Sequence, residues 1–153
     1  MSRAAAAIGA LREAGLTVAT CESLTAGLVA GELATVPGAS AVLRGGLITY
    51  ATQLKAVLAG VDPSLLAARG AVDPEVAEQM ALGAARVCGA DIGLACTGVA
   101  GPEPQDGRPV GLVYTALARG GRARAHEHRF GGDRVAIRAA TVAALLERAA
   151  RLR

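Results

Sequence analysis

The chain has 153 residues, a formal net charge of +3 and an apolar share of 52%. That length suits one domain, residues 1–153, with a real core. No run of five or six like charges appears, which argues against a nucleic-acid or membrane surface, and no apolar stretch approaches the ~18 residues of a membrane span.

Aromatic residues make up 2% of the chain and Trp is absent, so the core must be built from Ala, Val, Leu and Ile. Residues 2–14 read as a first helix stopped by Gly15. Its apolar stretch Ala4–Leu11 is broken by Arg12 and Glu13 and lacks a small-residue cleavage pattern, so a helix is expected rather than a leader. Thr17–Cys21 is a short β-branched run. A helical pattern follows from Ser23 through Thr35 and closes at Pro37-Gly38. Leu43–Tyr50 reads as a strand, and the Gly45-Gly46 pair inside it suggests a bulge or a close backbone approach.

A short helix is expected to carry Lys55 and to end near Gly60, and Asp62-Pro63 to start a short turn. Asp73-Pro74-Glu75 is a helix start, with Asp as cap and Pro in the first helical position, and that helix should run to about Cys88. Asp91–Cys96 reads as a buried strand, followed by a loop over Thr97–Pro109. Val110–Ala118 and Arg122–Phe130 flank Gly120-Gly121, a two-residue hairpin signal. Gly131-Gly132-Asp133 leads into a last helix through Arg153. The alternation predicts one α/β domain, a three-layer α/β/α fold with a mixed, mostly parallel sheet.

Four segments can carry chemistry. Ser23-Leu24-Thr25-Ala26-Gly27 joins a strand to a helix, where ligands of open α/β sheets bind. Ser23 there is either a helix cap or a nucleophile whose oxyanion meets free helix N–H groups. Tyr50 and Lys55 lie on the next strand end and helix. Lys55 is the single lysine among 16 basic residues, the others being arginine. Arginine stays protonated in a protein, whereas a desolvated lysine can act as a base. A surface lysine beside an interfacial tyrosine is the alternative. Thr97-Gly98-Val99-Ala100-Gly101-Pro102 follows a strand and lets backbone N–H groups approach a ligand. It is neither a Walker loop nor a dinucleotide fingerprint. In Gly131-Gly132-Asp133-Arg134, with Arg138 one turn on, Asp133 reads as a cap, and either arginine can hold an anion or lie solvated.

His126 and His128 share one face of a strand but lack a third metal ligand. Cys21, Cys88 and Cys96 have no metal spacing and read as reduced, buried thiols of a cytoplasmic protein.

Together these segments, with Glu22, Pro37-Gly38-Ala39-Ser40, Arg44-Gly45-Gly46-Leu47, Gly70–Ala77 and Pro109-Val110-Gly111, resemble the CinA C-terminal domain family, the nicotinamide mononucleotide deamidases, along nearly the whole chain. Leu24 and Ala26 depart from the Cys and Gly common in the family, which puts pocket shape in question. An N-terminal domain resembling molybdopterin-binding proteins, often present in longer members, is not part of this sequence, and its activity is not expected.

The resemblance implies hydrolysis of the carboxamide of nicotinamide mononucleotide to nicotinic acid mononucleotide and ammonia, without metal or cofactor. It implies Ser23 as nucleophile, Lys55 as base and Tyr50 as the residue that positions or relays the proton. Thr25, Gly27 and Gly46 belong to the implied substrate site, Thr97 and Gly98 line it, and Arg134 or Arg138 answers the phosphate. The partner is then a small pyridine nucleotide, with no nucleic acid or membrane, and a homo-oligomer is plausible. The competing expectation is a catalytically silent nucleotide-binding or regulatory module linked to competence or DNA damage.

Overall fold

A computed structural model describes all 153 residues. Five strands form one open sheet: β1 (Val18–Glu22), β2 (Leu43–Ile48), β3 (Ile92–Gly98), β4 (Leu112–Arg119) and β5 (Arg122–Arg129). Their order is β2-β1-β3-β4-β5. β1 pairs in parallel with both β2 and β3, whereas β3–β4 and β4–β5 are antiparallel. Four strands therefore point one way and β4 alone opposes them, which is the mixed α/β sheet expected.

Six helices cover the sheet: α1 (Arg3–Ala14), α2 (Leu28–Ala34), α3 (Thr52–Ala59), α4 (Pro63–Arg69), α5 (Pro74–Cys88) and α6 (Arg134–Ala149). One apolar cluster of 20 buried residues joins α1, α2 and α6 to one face through Ile8, Leu11, Leu33, Leu94 and Leu145. A second, of 17, joins α3, α4 and α5 to the other through Ala59, Leu66, Met80 and Ala95. The clusters are similar in size, so neither face is left open. Small residues set the spacing on the α5 side. A Cβ at Gly93 would collide with the Ala81 carbonyl of α5, so only glycine lets that helix lie so close.

Local chemistry explains most boundaries. Ser2 caps α1 by accepting from the Ala5 amide at 3.0 Å, and Gly15 ends the helix in the left-handed conformation at φ 67°. Asp73 caps α5 by accepting from the Glu75 and Val76 amides. Of the two features expected at the Gly45-Gly46 pair, the close approach lies within it and the bulge one residue before it. The β1–β2 register slips at Arg44, and a Cβ at Gly46 would strike the Thr20 side chain.

Four expectations need correction. The turn at Asp62-Pro63 continues into a helix, α4, with the Asp62 carboxylate accepting from the Ser64 amide at 2.8 Å. Strand β3 runs on through Thr97 and Gly98, which pair with Tyr114 and Val113. The last helix stops at Ala149 instead of reaching Arg153. Most consequential, α2 starts at Leu28, not at Ser23. Ala26 (φ 48°) and Gly27 (φ 98°) have left-handed backbones that no α-helix can contain.

Candidate active site

Strand order puts β1 at a switch point. The chain leaves β1 for β2 on one side and later returns as β3 on the other. The connecting helices lie on opposite faces, opening a crevice at the carboxyl end of β1. Ser23 is the first residue past that end. Its amide continues the ladder by donating to the Cys96 carbonyl at 3.2 Å. Ser23 is only 8% exposed.

Lys55 reaches the same point from α3. It is 1% exposed. Its Nζ lies 3.0 Å from Ser23 Oγ and donates to the Thr49 carbonyl at 2.6 Å. Burial pushes the amine below the usual lysine range, opposed weakly by Cys21, Cys96 and Asp106. Burial also raises the Cys21 thiol to about 11 and the Cys96 thiol to about 12. Both thiols are thus uncharged at neutral pH. A neutral amine beside a serine hydroxyl can accept its proton.

The serine turn has a support that sequence reasoning missed. Glu22 is 1% exposed and faces no cation. Its carboxylate instead accepts four hydrogen bonds: from the hydroxyls of Thr25 (2.6 Å) and Thr20 (3.0 Å) and the amides of Val29 (2.8 Å) and Ala30 (3.0 Å). Those amides belong to the first turn of α2, whose positive end favours a carboxylate. Glu22 therefore caps the helix across the turn that presents Ser23. The sequence signal was an acid ending an apolar strand with threonine on both sides. Glu22→Ala strands two amides and two hydroxyls and should cost about 3–5 kcal/mol of stability. Urea unfolding checks this; a loss below about 1 kcal/mol would mean that water replaces the carboxylate.

A cavity of about 330 Å³ opens in front of Ser23, with Leu24, Tyr50, Gly98, Ala100 and Arg134 among its walls. Depressions of about 380, 660 and 720 Å³ lie elsewhere and include neither Ser23 nor Lys55.

The sequence-derived residues separate into those that face the cavity and those that hold it. Ser23, Tyr50, Gly98 and Arg134 line it, and Lys55 backs Ser23. The Tyr50 hydroxyl does not meet the Ser23–Lys55 pair. Tyr50 is 56% exposed, and its oxygen accepts from Arg134 Nη2 at 2.6 Å. Thr25 is turned inward onto Glu22, and Thr97 donates to the Ala71 carbonyl at 2.8 Å. Gly27 supplies the left-handed step before α2, and Gly46 lies against Thr20. Arg138 donates to the carbonyls of Leu24 (2.8 Å) and Thr25 (3.4 Å), clamping the serine turn instead of facing the cavity.

The expected oxyanion donors at the start of α2 are also displaced, since Glu22 takes the Val29 and Ala30 amides. The amides of Leu24 and Ala100 have no acceptor within the chain, and both residues line the cavity.

Neither histidine of β5 lines the cavity. His128 Nε2 lies 2.8 Å from the Thr115 hydroxyl and its ring stacks on Phe130. Cys88, expected to be buried, is only half-buried. No helix is long and apolar enough to cross a membrane.

Known proteins resemble this chain in sequence and in fold. The CinA C-terminal domain family model matches residues 2–152. A CinA-like protein of Frankia casuarinae is 47% identical over 140 residues, 92% of this chain, and one of Geobacter sulfurreducens is 47% identical over 137 residues, 89% of this chain. The chain spans about a third of the length of those curated relatives, 32% and 33%. Among solved structures, the competence/damage inducible protein CihA of Agrobacterium tumefaciens superposes with a TM-score of 0.90 at 40% identity, covering 95% of this chain and 90% of its own. A CinA superfamily protein of Escherichia coli gives 0.91 at 31% identity, covering 94% and 84%. The family match over nearly every residue and the likeness of the folds agree: the chain belongs to the CinA C-terminal domain family.

Proposed function

We propose that this domain hydrolyses the carboxamide of nicotinamide mononucleotide, giving nicotinic acid mononucleotide and ammonia, with Ser23 as nucleophile and Lys55 as general base. The observation that carries the reading is the 3.0 Å approach of a buried lysine amine to a serine hydroxyl at the mouth of a cavity. A silent binding module has no use for a desolvated amine in that position.

The chemistry follows from the contacts. The Thr49 carbonyl anchors one N–H of the Lys55 amine, which leaves the nitrogen lone pair for Ser23 Oγ–H. As Oγ attacks the carboxamide carbon, Lys55 takes its proton; such a base typically contributes 10²–10⁴-fold. The free amides of Leu24 and Ala100, on residues that line the cavity, are available to the oxyanion, each such donor being worth about 3–4 kcal/mol where its geometry fits. The protonated Lys55 then delivers its proton to the departing nitrogen, releasing ammonia and leaving a serine ester. Water, activated by the same amine, cleaves that ester and restores the hydroxyl. Arg134, on the cavity wall, answers the phosphate.

Purified protein incubated with nicotinamide mononucleotide should release ammonia in step with nicotinic acid mononucleotide. No ammonia, with or without chelator or added divalent metal, would sink the amidase reading.

A further inference from the structure

The cavity wall carries two charged side chains, Glu103 and Arg134. They do not neutralise each other. Arg134 donates to two uncharged oxygens, the Gly101 carbonyl and the Tyr50 hydroxyl, both at 2.6 Å. Glu103 takes part in no ion pair of the chain and is exposed to solvent. Opposite charges on one small cavity that leave each other unpaired form a dipolar surface.

The backbone holds that surface in place. Glu103 sits between Pro102 and Pro104, whose rings fix their own φ and press the residue between them into an extended shape. One end of the segment is tied by the Arg134 bond to Gly101. The other is closed by paired backbone bonds between Gln105 and Arg108, at 2.8 and 3.2 Å. Within that turn, the Asp106 carboxylate accepts from the Ala71 amide at 3.3 Å. The carboxylate is thus carried on a braced wall, so less ordering is needed when a ligand arrives.

We propose that Glu103 is a specificity-determining residue that reads positive charge on the substrate ring, so that the cavity selects a ligand cationic beside its amide and anionic at its far end. The proposal rests on the amidase reading. The oxidised pyridinium ring of nicotinamide mononucleotide carries such a charge. The 1,4-dihydro form keeps the amide, ribose and phosphate but has an uncharged ring. Glu103 should therefore favour the oxidised nucleotide. Attraction to a solvated carboxylate is modest, about three- to tenfold in affinity. It acts on bound substrate and transition state alike, so it should appear in KM and leave kcat nearly unchanged.

The test uses Glu103→Gln, which removes the charge and keeps the shape. KM for nicotinamide mononucleotide should rise about three- to tenfold, and Glu103→Asp should retain most of the wild-type value. In the Ser23→Ala background, which allows titration without turnover, Glu103→Gln should weaken the oxidised nucleotide by the same factor and leave the dihydro form unchanged. Equal weakening of both forms, or of neither, overturns the proposal. Ammonia release by the wild type with an unaltered KM in Glu103→Gln also overturns it and leaves the amidase reading standing. No release and no binding by the wild type overturns both.

Discussion

Changing Lys55 to arginine should lower turnover of nicotinamide mononucleotide by about a thousandfold or more. Charge is conserved in the exchange, yet the function of the residue is not. A guanidinium keeps its proton in a protein and cannot accept one from Ser23. It would also place an unneutralised cation where the lysine is 1% exposed, so Lys55→Met serves as a second variant of similar volume without charge. Both should be inactive, with near-native circular dichroism for the methionine form. Near-normal turnover in the arginine variant would remove the general-base role.

The same desolvation predicts a pH dependence. Because burial lowers the amine from its ordinary 10.5, kcat/KM should climb with pH as Lys55 loses its proton and level off below that value. The contribution of Lys55 to stability should move in the same direction. The unfolded lysine binds a proton more tightly than the folded one, so that contribution rises with pH between the lowered value and 10.5, and is lost as pH falls through that window; the raised Cys21 and Cys96 thiols act in the opposite sense above 9.0, so the lysine effect is read as the difference between wild type and Lys55→Met. Kinetic profiles and denaturant unfolding across alkaline pH check the two effects separately. The stability of the wild type relative to Lys55→Met should rise with pH through that window.

Ser23→Ala should have the largest effect, a loss of about 10⁴-fold or more in kcat with substrate binding retained. Removing a nucleophile that works together with its base typically costs about as much as removing both. The double variant Ser23→Ala, Lys55→Met should therefore be little worse than either change alone. Wild-type protein quenched during turnover should carry the added mass of the whole nicotinic acid mononucleotide, held as an ester through its carboxyl carbon, which Ser23→Ala lacks. Activity within tenfold of wild type in Ser23→Ala would instead mean direct attack by water on the amide.

Both effects depend on residues of very different legibility. The alternation of helical and strand-like segments was open to reading because apolar periodicity and caps such as Asp73-Pro74 act over a few residues. The hairpin at Gly120-Gly121 was equally local. The start of α2 was not. A helical pattern from Ser23 is sound by propensity, but Glu22 overrides it by drawing the Val29 and Ala30 amides to its own carboxylate. The four residues that join this carboxylate are scattered from Thr20 to Ala30, and no periodicity marks them. Tyr50 and Arg138 show the same limit from the other side. Each has a chemistry suited to the site, and each is committed elsewhere, Tyr50 to Arg134 and Arg138 to the carbonyls of Leu24 and Thr25.

By itself, the sequence determined the α/β/α layering, the two faces of small aliphatic residues, the family, and the presence of one lysine among arginines. Only the tertiary structure decided what that lysine faces. Ser23 and Lys55 are 32 positions apart, and their 3.0 Å contact exists because β1 lies between β2 and β3 while α3 folds back over the strand ends. Desolvation is likewise a property of the packed chain. A side chain cannot lose its water until both apolar layers close around it, so a basic residue becomes a base only in the folded protein.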